Sequence, residues 1–151
     1  MNEAELVFSE IEDNDLLECA ALFAESFKQP PWDEKWNIDD ALERLSDFYH
    51  CPKTVAFKVL DNGYIVGFLI GNVEVWCEDN YFYLKEMCVS STRQRAGVGR
   101  ILMTHLEEVL LEKKIARAYL MTQRNSIPEQ FYTSLGYMVN HEMIVMRKWM
   151  E

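Results

Sequence analysis

Val89-Ser-Ser-Thr-Arg-Gln-Arg-Ala-Gly-Val-Gly-Arg100 decides the fold: it follows an apolar strand pattern, holds two glycines two apart, and opens an amphipathic helix. Glycine lets the main chain turn tightly and approach a ligand closely. The free N–H groups of a first helical turn, with about half a positive charge from the helix dipole, favour an anion there. Arg93, Arg95 and Arg100 add to that field. No Gly-Lys-Ser/Thr follows, which excludes a Walker loop, and Leu102 stands where a dinucleotide fingerprint needs a small residue. The pyrophosphate of an acyl-CoA fits what is left.

Downstream, Val98, Ile101, Leu102, His105, Leu106, Val109 and Leu110 recur at helical spacing, and Lys113 and Lys114 suit the helix C-terminus. His105, on the apolar stripe, reads as a core or interface histidine. Upstream, Tyr81 to Val89 is a strand whose pattern changes midway: Phe82 and Leu84 share a parity with Glu86, while Met87 and Val89 lie on the other. A bulge near Lys85 or Glu86 reconciles them. Before it, Val55, Phe57 and Val59 alternate with Thr54, Ala56 and Lys58, Asp61-Asn62-Gly63 supplies hairpin turn chemistry, and Tyr64 to Val75 returns, with Cys77 to Asn80 turning into the next strand.

Nearer the start, Leu6 to Phe8 is a short strand, Asp13 or Asn14 caps a helix through Phe23 that Gln29-Pro30-Pro31 stops, and Asn37 caps a second over Ile38 to Tyr49. Past the central helix, Ala118 to Met121 reads as a buried strand. Pro128 to Ser134 reads as a helix ending at Gly136, and Tyr137 to Trp149 as a closing β-hairpin. The expected fold is α/β in the order βααβββαβαββ, with helices flanking a mixed, mostly antiparallel sheet. Its one parallel pair comes from the strand–helix–strand passage around the central helix.

With 151 residues, 49% of them hydrophobic, residues 1–151 read as a single domain able to bury a core. No apolar run approaches the ~20 residues of a membrane span and the N-terminus lacks a secretion pattern, so the expected location is cytoplasmic. Cys19, Cys51, Cys77 and Cys88, scattered without a CxxC, read as reduced structural thiols, and no metal site is expected. A net charge of −10 repels nucleic acid and favours cationic partners.

Gln94-Arg-Ala-Gly97-Val-Gly99, after the apolar strand end Met87-Cys-Val89, resembles the Gln/Arg-x-x-Gly-x-Gly/Ala motif of the GNAT N-acetyltransferase superfamily. Asn125, Phe131-Tyr132 and Leu135-Gly136-Tyr137 resemble its downstream Asn, Tyr and Leu-Gly-aromatic pattern. Pro30-Pro31-Trp32 and Phe82 to Met87 are similar to a bacterial, aminoglycoside-acetyltransferase-like subgroup. Nearly the whole chain is covered, with two departures: Arg95 where the family often has glycine, and Ala96 where a basic residue is common. The resemblance implies a GNAT-like sheet whose parallel pair splays, and an acetyl-CoA-dependent N-acetyltransferase acting by direct transfer. It also implies a coenzyme site from Met87, Cys88 and Val89 along the pantetheine arm, with Gln94, Arg95, Ala96, Gly97, Val98, Gly99 and Arg100 at the pyrophosphate, and Asn125 and Tyr132 completing it.

Acetyl transfer needs a neutral amine and a proton for the departing thiolate. Tyr132 holds the family's acid position, and a phenol of pKa ≈ 10 stays protonated at neutral pH. An amine of pKa near 10 is less than about 0.1% neutral at pH 7, so a carboxylate assists; Glu86 and Glu74, set within apolar strands, are the candidates. Trp32 and Trp36 in the Pro-Pro-Trp loop, with Glu74 and Glu86, form the expected pocket for a small cationic amine. A peptide or protein N-terminus, a non-catalytic acyl-CoA-binding or assembly module, and a homodimer closing the cleft stay open.

Overall fold

The computed structural model describes residues 6–93 and 97–151. The elements are β1 (Leu6–Glu10), α1 (Leu16–Phe27, preceded by a 3-10 turn at Asp13–Asp15), α2 (Ile38–Tyr49), β2 (Thr54–Asp61), β3 (Tyr64–Val75), β4 (Asn80–Val89), α3 (Val98–Glu112), β5 (Arg117–Tyr119) and α4 (Ile127–Ser134). Two compact units divide the chain, up to Leu120 and from Met121 to Glu151; the first contains the sheet.

Local chemistry explains most boundaries. The Asn37 side chain accepts from the Asp40 N–H at 2.7 Å and starts α2. Ser126 accepts from the Glu129 N–H at 3.2 Å and starts α4, with Pro128 in its first turn. Asn62 and Gly63, both at positive φ (51° and 84°), make the tight β2–β3 turn that matches strand twist.

The sheet order is β1-β2-β3-β4-β5, antiparallel except for the parallel pair β4–β5. Ile70 opposes Glu86 and Gly71 opposes Leu84, so Lys85 is the extra residue of a bulge on β4. Beyond it, Tyr83 and Tyr81 oppose Asn72 and Glu74, which share the parity of Ile70 on β3. Tyr81, Tyr83, Glu86 and Cys88 therefore share one face, and Phe82, Leu84 and Met87 the other.

The first face is covered by α1 and α2: Cys19, Ala20 and Phe23 of α1 and Ala41 and Leu45 of α2 bury against Ala56, Phe68, Ile70 and Cys88. α3 covers the other. A Cβ on Gly67 would stand 2.6 Å from Val98 Cγ1 and 3.3 Å from Leu102 Cδ1, so the bare backbone there lets α3 seat closely. His105 is half-exposed, stacked on Phe8 with ring centroids 3.7 Å apart, and 3.7 Å from Glu108; it lies at the margin of α3's buried stripe rather than in the core.

Two expectations are corrected. The strand after α3 is Arg117–Tyr119, with Arg117 and Tyr119 exposed, not a buried strand over Ala118 to Met121; among the described residues only one of its sides is paired. The closing hairpin does not form, and the order is βααβββαβα. Within this stretch Asn140 starts a turn, its side chain accepting from the Glu142 N–H at 3.0 Å. The flanking residues form no ladder among the described residues: alternation gives a tendency to extend, whereas a ladder needs a neighbour. No helix among the described residues is long and apolar enough to cross a membrane.

A Cβ on Gly71 would overlap both the Phe82 ring and the Tyr83 carbonyl. Gly71→Ala is expected to cost ~2–3 kcal/mol by overpacking against backbone that cannot yield, measured as a lowered urea midpoint at unchanged slope.

Candidate functional site

β4 and β5 pair only from Tyr81↔Arg117 to Tyr83↔Tyr119. From Leu84 to Val89, β4 has no strand on that side among the described residues, so the edge carrying Met87, Cys88 and Val89 is open to a ligand's amide groups. The Val89 carbonyl accepts from Ser26 Oγ at 3.4 Å, and the Ser90 N–H donates to Val66 O at 2.8 Å, fixing where β4 ends.

The chain then reaches α3 through Gly97, whose φ of 82° is left-handed. Side chains cap α2 and α4, but among the described residues none caps α3, and its first turn contains no acid. Val98 is buried and anchors the turn, Gly99 is half-buried, and Arg100 is exposed. The N–H groups of this turn are the expected anion donors. Arg93 is drawn elsewhere: its guanidinium forms an ion pair with Asp61, a carboxylate buried at the end of β2, so the pair neutralises a core charge. Gln94, Arg95 and Ala96 lie outside the described residues.

On the α1/α2 face the bulge presents Glu86, with a side chain 11% exposed. Arg44 of α2 donates to Glu86 Oε1 from Nε at 3.0 Å and Nη2 at 2.8 Å, leaving Oε2 with no hydrogen bond among the described residues. Burial pushes the Glu86 carboxyl above the ordinary glutamate range; Arg44 pulls it back, and Glu34 pushes it up. Arg44 lies over the rings of Phe48 and Trp36, at 4.7 and 5.7 Å. It also lines a shallow depression of about 320 Å³ with Asp40, Glu43, Asp47 and Phe48. Trp36 donates to Glu34 at 3.0 Å and packs edge-on to Phe23, whereas Trp32 packs on Phe27.

Glu74 accepts from the Tyr119 hydroxyl at 2.5 Å, and Tyr119 stacks on Tyr83 with centroids 4.6 Å apart and planes 5° from parallel. Burial, then Glu74, raises both phenols' pKa. Glu74, Arg44 and Glu86 all act electrostatically on Tyr83. Of the sequence-predicted residues, Glu86 is thus joined to Trp36 through Arg44, while Glu74 is tied to Tyr83 through Tyr119. Sequence reasoning missed Arg44, which reads as a solvated helix residue among acids, and it missed Tyr83 and Tyr119. Once the bulge is placed, the parity shared by Tyr81, Tyr83 and Glu86 is the signal that finds the first of these tyrosines.

Cys88, adjoining the open edge, is buried against the Leu22 carbonyl at 3.8 Å, and burial pushes its thiol up to about 12. All four cysteines are free thiols.

In the second unit, Tyr132 is 9% exposed on α4, with Phe131 and Tyr137 rings edge-on at 5.2 and 5.8 Å. Asn125 is exposed at a φ of 58°, and its N–H donates to the Glu129 carboxylate, which fixes the turn into α4.

The sequence model described as the acetyltransferase (GNAT) family matches residues 16–137. No curated protein matches the chain. An integron cassette protein from V. cholerae superposes with a TM-score of 0.80 at 19% identity, covering 96% of this chain and 93% of that one. An aminoglycoside acetyltransferase from an uncultured soil metagenomic sample, solved with sisomicin, gives 0.75 at 20% identity, covering 99% and 98%. An aminoglycoside N-acetyltransferase in complex with CoA gives 0.73 at 15%, covering 95% and 94%. At these identities the solved structures share the α/β fold with its mixed five-stranded sheet, and the family match spans most of the chain: it belongs to the acetyltransferase (GNAT) family, whose members use acetyl-CoA.

Proposed function

We propose that this chain transfers acetyl from acetyl-CoA directly to a primary amine of a small cationic acceptor, with both units acting as one catalytic domain. The observation that carries the reading is on β4, where an open edge adjoins the uncapped α3 and a buried carboxylate faces the α1/α2 side of the same strand. The family match running through the boundary between the units supports the single domain.

The coenzyme supplies an activated thioester. The edge at Met87, Cys88 and Val89 would hold its pantetheine arm. The N–H groups of Gly97, Val98, Gly99 and Arg100, with Gln94, Arg95 and Ala96 before them, would hold the pyrophosphate. Asn125 is assigned to the pantetheine arm by resemblance. The acceptor side takes Trp32, Trp36, Glu74 and Glu86, and the excess of acids over bases draws a cation towards it. That a structural neighbour was solved with sisomicin, a polyamine sugar, supports a cationic acceptor of this kind.

Glu86 is the proposed base. Its Oε2 accepts a proton from the ammonium, directly or through one water, and the buried setting makes it more basic than an exposed glutamate. Tyr132 is the proposed acid, donating its phenolic proton to the departing thiolate.

Gly97→Val places a β-branched residue in the left-handed region, which costs roughly 1–2 kcal/mol, so the turn must rearrange. Acetyl-CoA affinity by calorimetry should fall at least about tenfold; unchanged affinity in a folded protein removes the pyrophosphate from this turn.

Glu86→Gln should lower turnover ~10²-fold or more, followed as thiol release with sisomicin, spermidine and a neutral arylamine in parallel. The base works only when ionised, so kcat/KM falls as pH drops through its pKa. Arg44→Gln removes the group that holds this pKa down, and the acidic limb should move to higher pH. A fully active Glu86→Gln protein, or thiol release with the arylamine alone, sinks the acceptor assignment.

Tyr132→Phe should lower turnover ~10²-fold or more at nearly unchanged acetyl-CoA affinity. Near-normal turnover would leave solvent as the proton donor.

A further inference from the structure

The connection from β4 to α3 is fastened to the β2–β3 hairpin through Ser90, Arg93 and Val98. The Ser90 N–H donates to Val66 O at 2.8 Å. Val98, the first residue of α3, packs over Gly67, where a Cβ would stand 2.6 Å from its Cγ1. Between them Arg93 turns back on Ser90, donating its N–H to the Ser90 carbonyl at 2.9 Å, and its guanidinium pairs with Asp61, the last residue of β2.

Asp61 is the unusual member of this set. An aspartate beside a hairpin turn ordinarily hydrogen-bonds its own loop. Asp61 is instead turned inward: its side chain is 2% exposed, and among the described residues neither carboxylate oxygen has a hydrogen-bond partner beyond the ion pair. Asn62 and Gly63 already supply the positive φ values that the turn needs. The hairpin therefore has no use for a charge at this position, and a buried carboxylate is costly unless a cation compensates it. The cation that does so belongs to the loop leading into α3.

We propose that Asp61 is a positioning residue for the coenzyme: through Arg93 it holds the β4–α3 connection where the N–H groups of Gly97, Val98, Gly99 and Arg100 face the pyrophosphate. This role rests on the pyrophosphate site proposed above for that turn. Among the described residues no capping side chain sets the angle at which the chain enters α3, so the hold comes from the anchors before it. The same pairing neutralises Arg93, which makes it a strut rather than a phosphate ligand. Asp61 itself touches no ligand and acts through the loop.

The test is CoA affinity of the full chain by calorimetry in the wild type, in Asp61→Asn and in the double variant Asp61→Asn, Arg93→Gln. Pantetheine, which lacks the pyrophosphate, is titrated in parallel by NMR. Asp61→Asn keeps the size of the side chain and removes its charge. CoA affinity should fall about tenfold, the weaker pantetheine affinity should stay as it is, and the double variant should bind CoA as Asp61→Asn does. Equal losses for both ligands, which general destabilisation would give, overturn the proposal. Unchanged CoA affinity in a folded Asp61→Asn protein does so too, and tighter binding would make Arg93 a phosphate ligand that Asp61 restrains. A double variant weaker than Asp61→Asn likewise makes Arg93 a ligand and overturns the strut. If Asp61→Asn fails to fold, the double variant decides: a loss confined to CoA supports the proposal, and unchanged affinity overturns it. A wild type that binds CoA no better than pantetheine removes the pyrophosphate from the turn and this role with it, whereas a wild type that prefers CoA keeps the turn whatever Asp61 does.

Discussion

A single extra residue on β4 organises this protein. Without Lys85 as a bulge, strand parity would send Glu86 to the side of Phe82 and Leu84, into the layer packed against α3, where an ionised carboxylate has no partner. With it, the aromatic half of β4 buries Phe82 and Leu84 while Tyr81 and Tyr83 join Glu86 under α1 and α2. The cost is a local break in the β3–β4 ladder, and Gly71 sits opposite the break, where any side chain would strike the Phe82 ring. Bulge and glycine act as one device.

The same strand has a different character on its edge. Parallel pairing with β5 lasts three residue pairs and ends at Tyr83↔Tyr119, the point at which the two phenol rings stack and Tyr119 reaches Glu74. The aromatic stack therefore marks where the strands part. Main-chain groups dominate past that point, and side-chain chemistry dominates before it. On the helical face Arg44 engages one oxygen of Glu86, which keeps a buried carboxylate tolerable while leaving the other oxygen uncommitted.

How much of this was legible follows from where each signal resides. The bulge was readable because a parity conflict is contained in nine consecutive residues. α2 was readable to the residue because Asn37 and an amphipathic stripe act locally, and the turn that opens α3 because its two glycines and the apolar repeat after them lie together. Arg44–Glu86 and Arg93–Asp61 were not, since each joins residues more than thirty apart and an arginine on a helix or loop reads as solvated. The C-terminal hairpin failed for a related reason: Ile144 to Met150 has a strand's composition, but pairing is a property of two segments and the sequence shows one. Tyr132 and Asn125 rest on motif spacing, which names a position in the chain and is silent on distances.

The buried thiol on β4 has its own consequence. A protein that handles thioesters risks capturing the acyl group on any nearby sulfur, because thiolates exchange readily with thioesters. With its thiol pushed up to about 12, Cys88 stays protonated at neutral pH. Burial therefore makes this sulfur a poor nucleophile, and self-acylation by a thioester held along this edge, as proposed above, is suppressed without removing the cysteine.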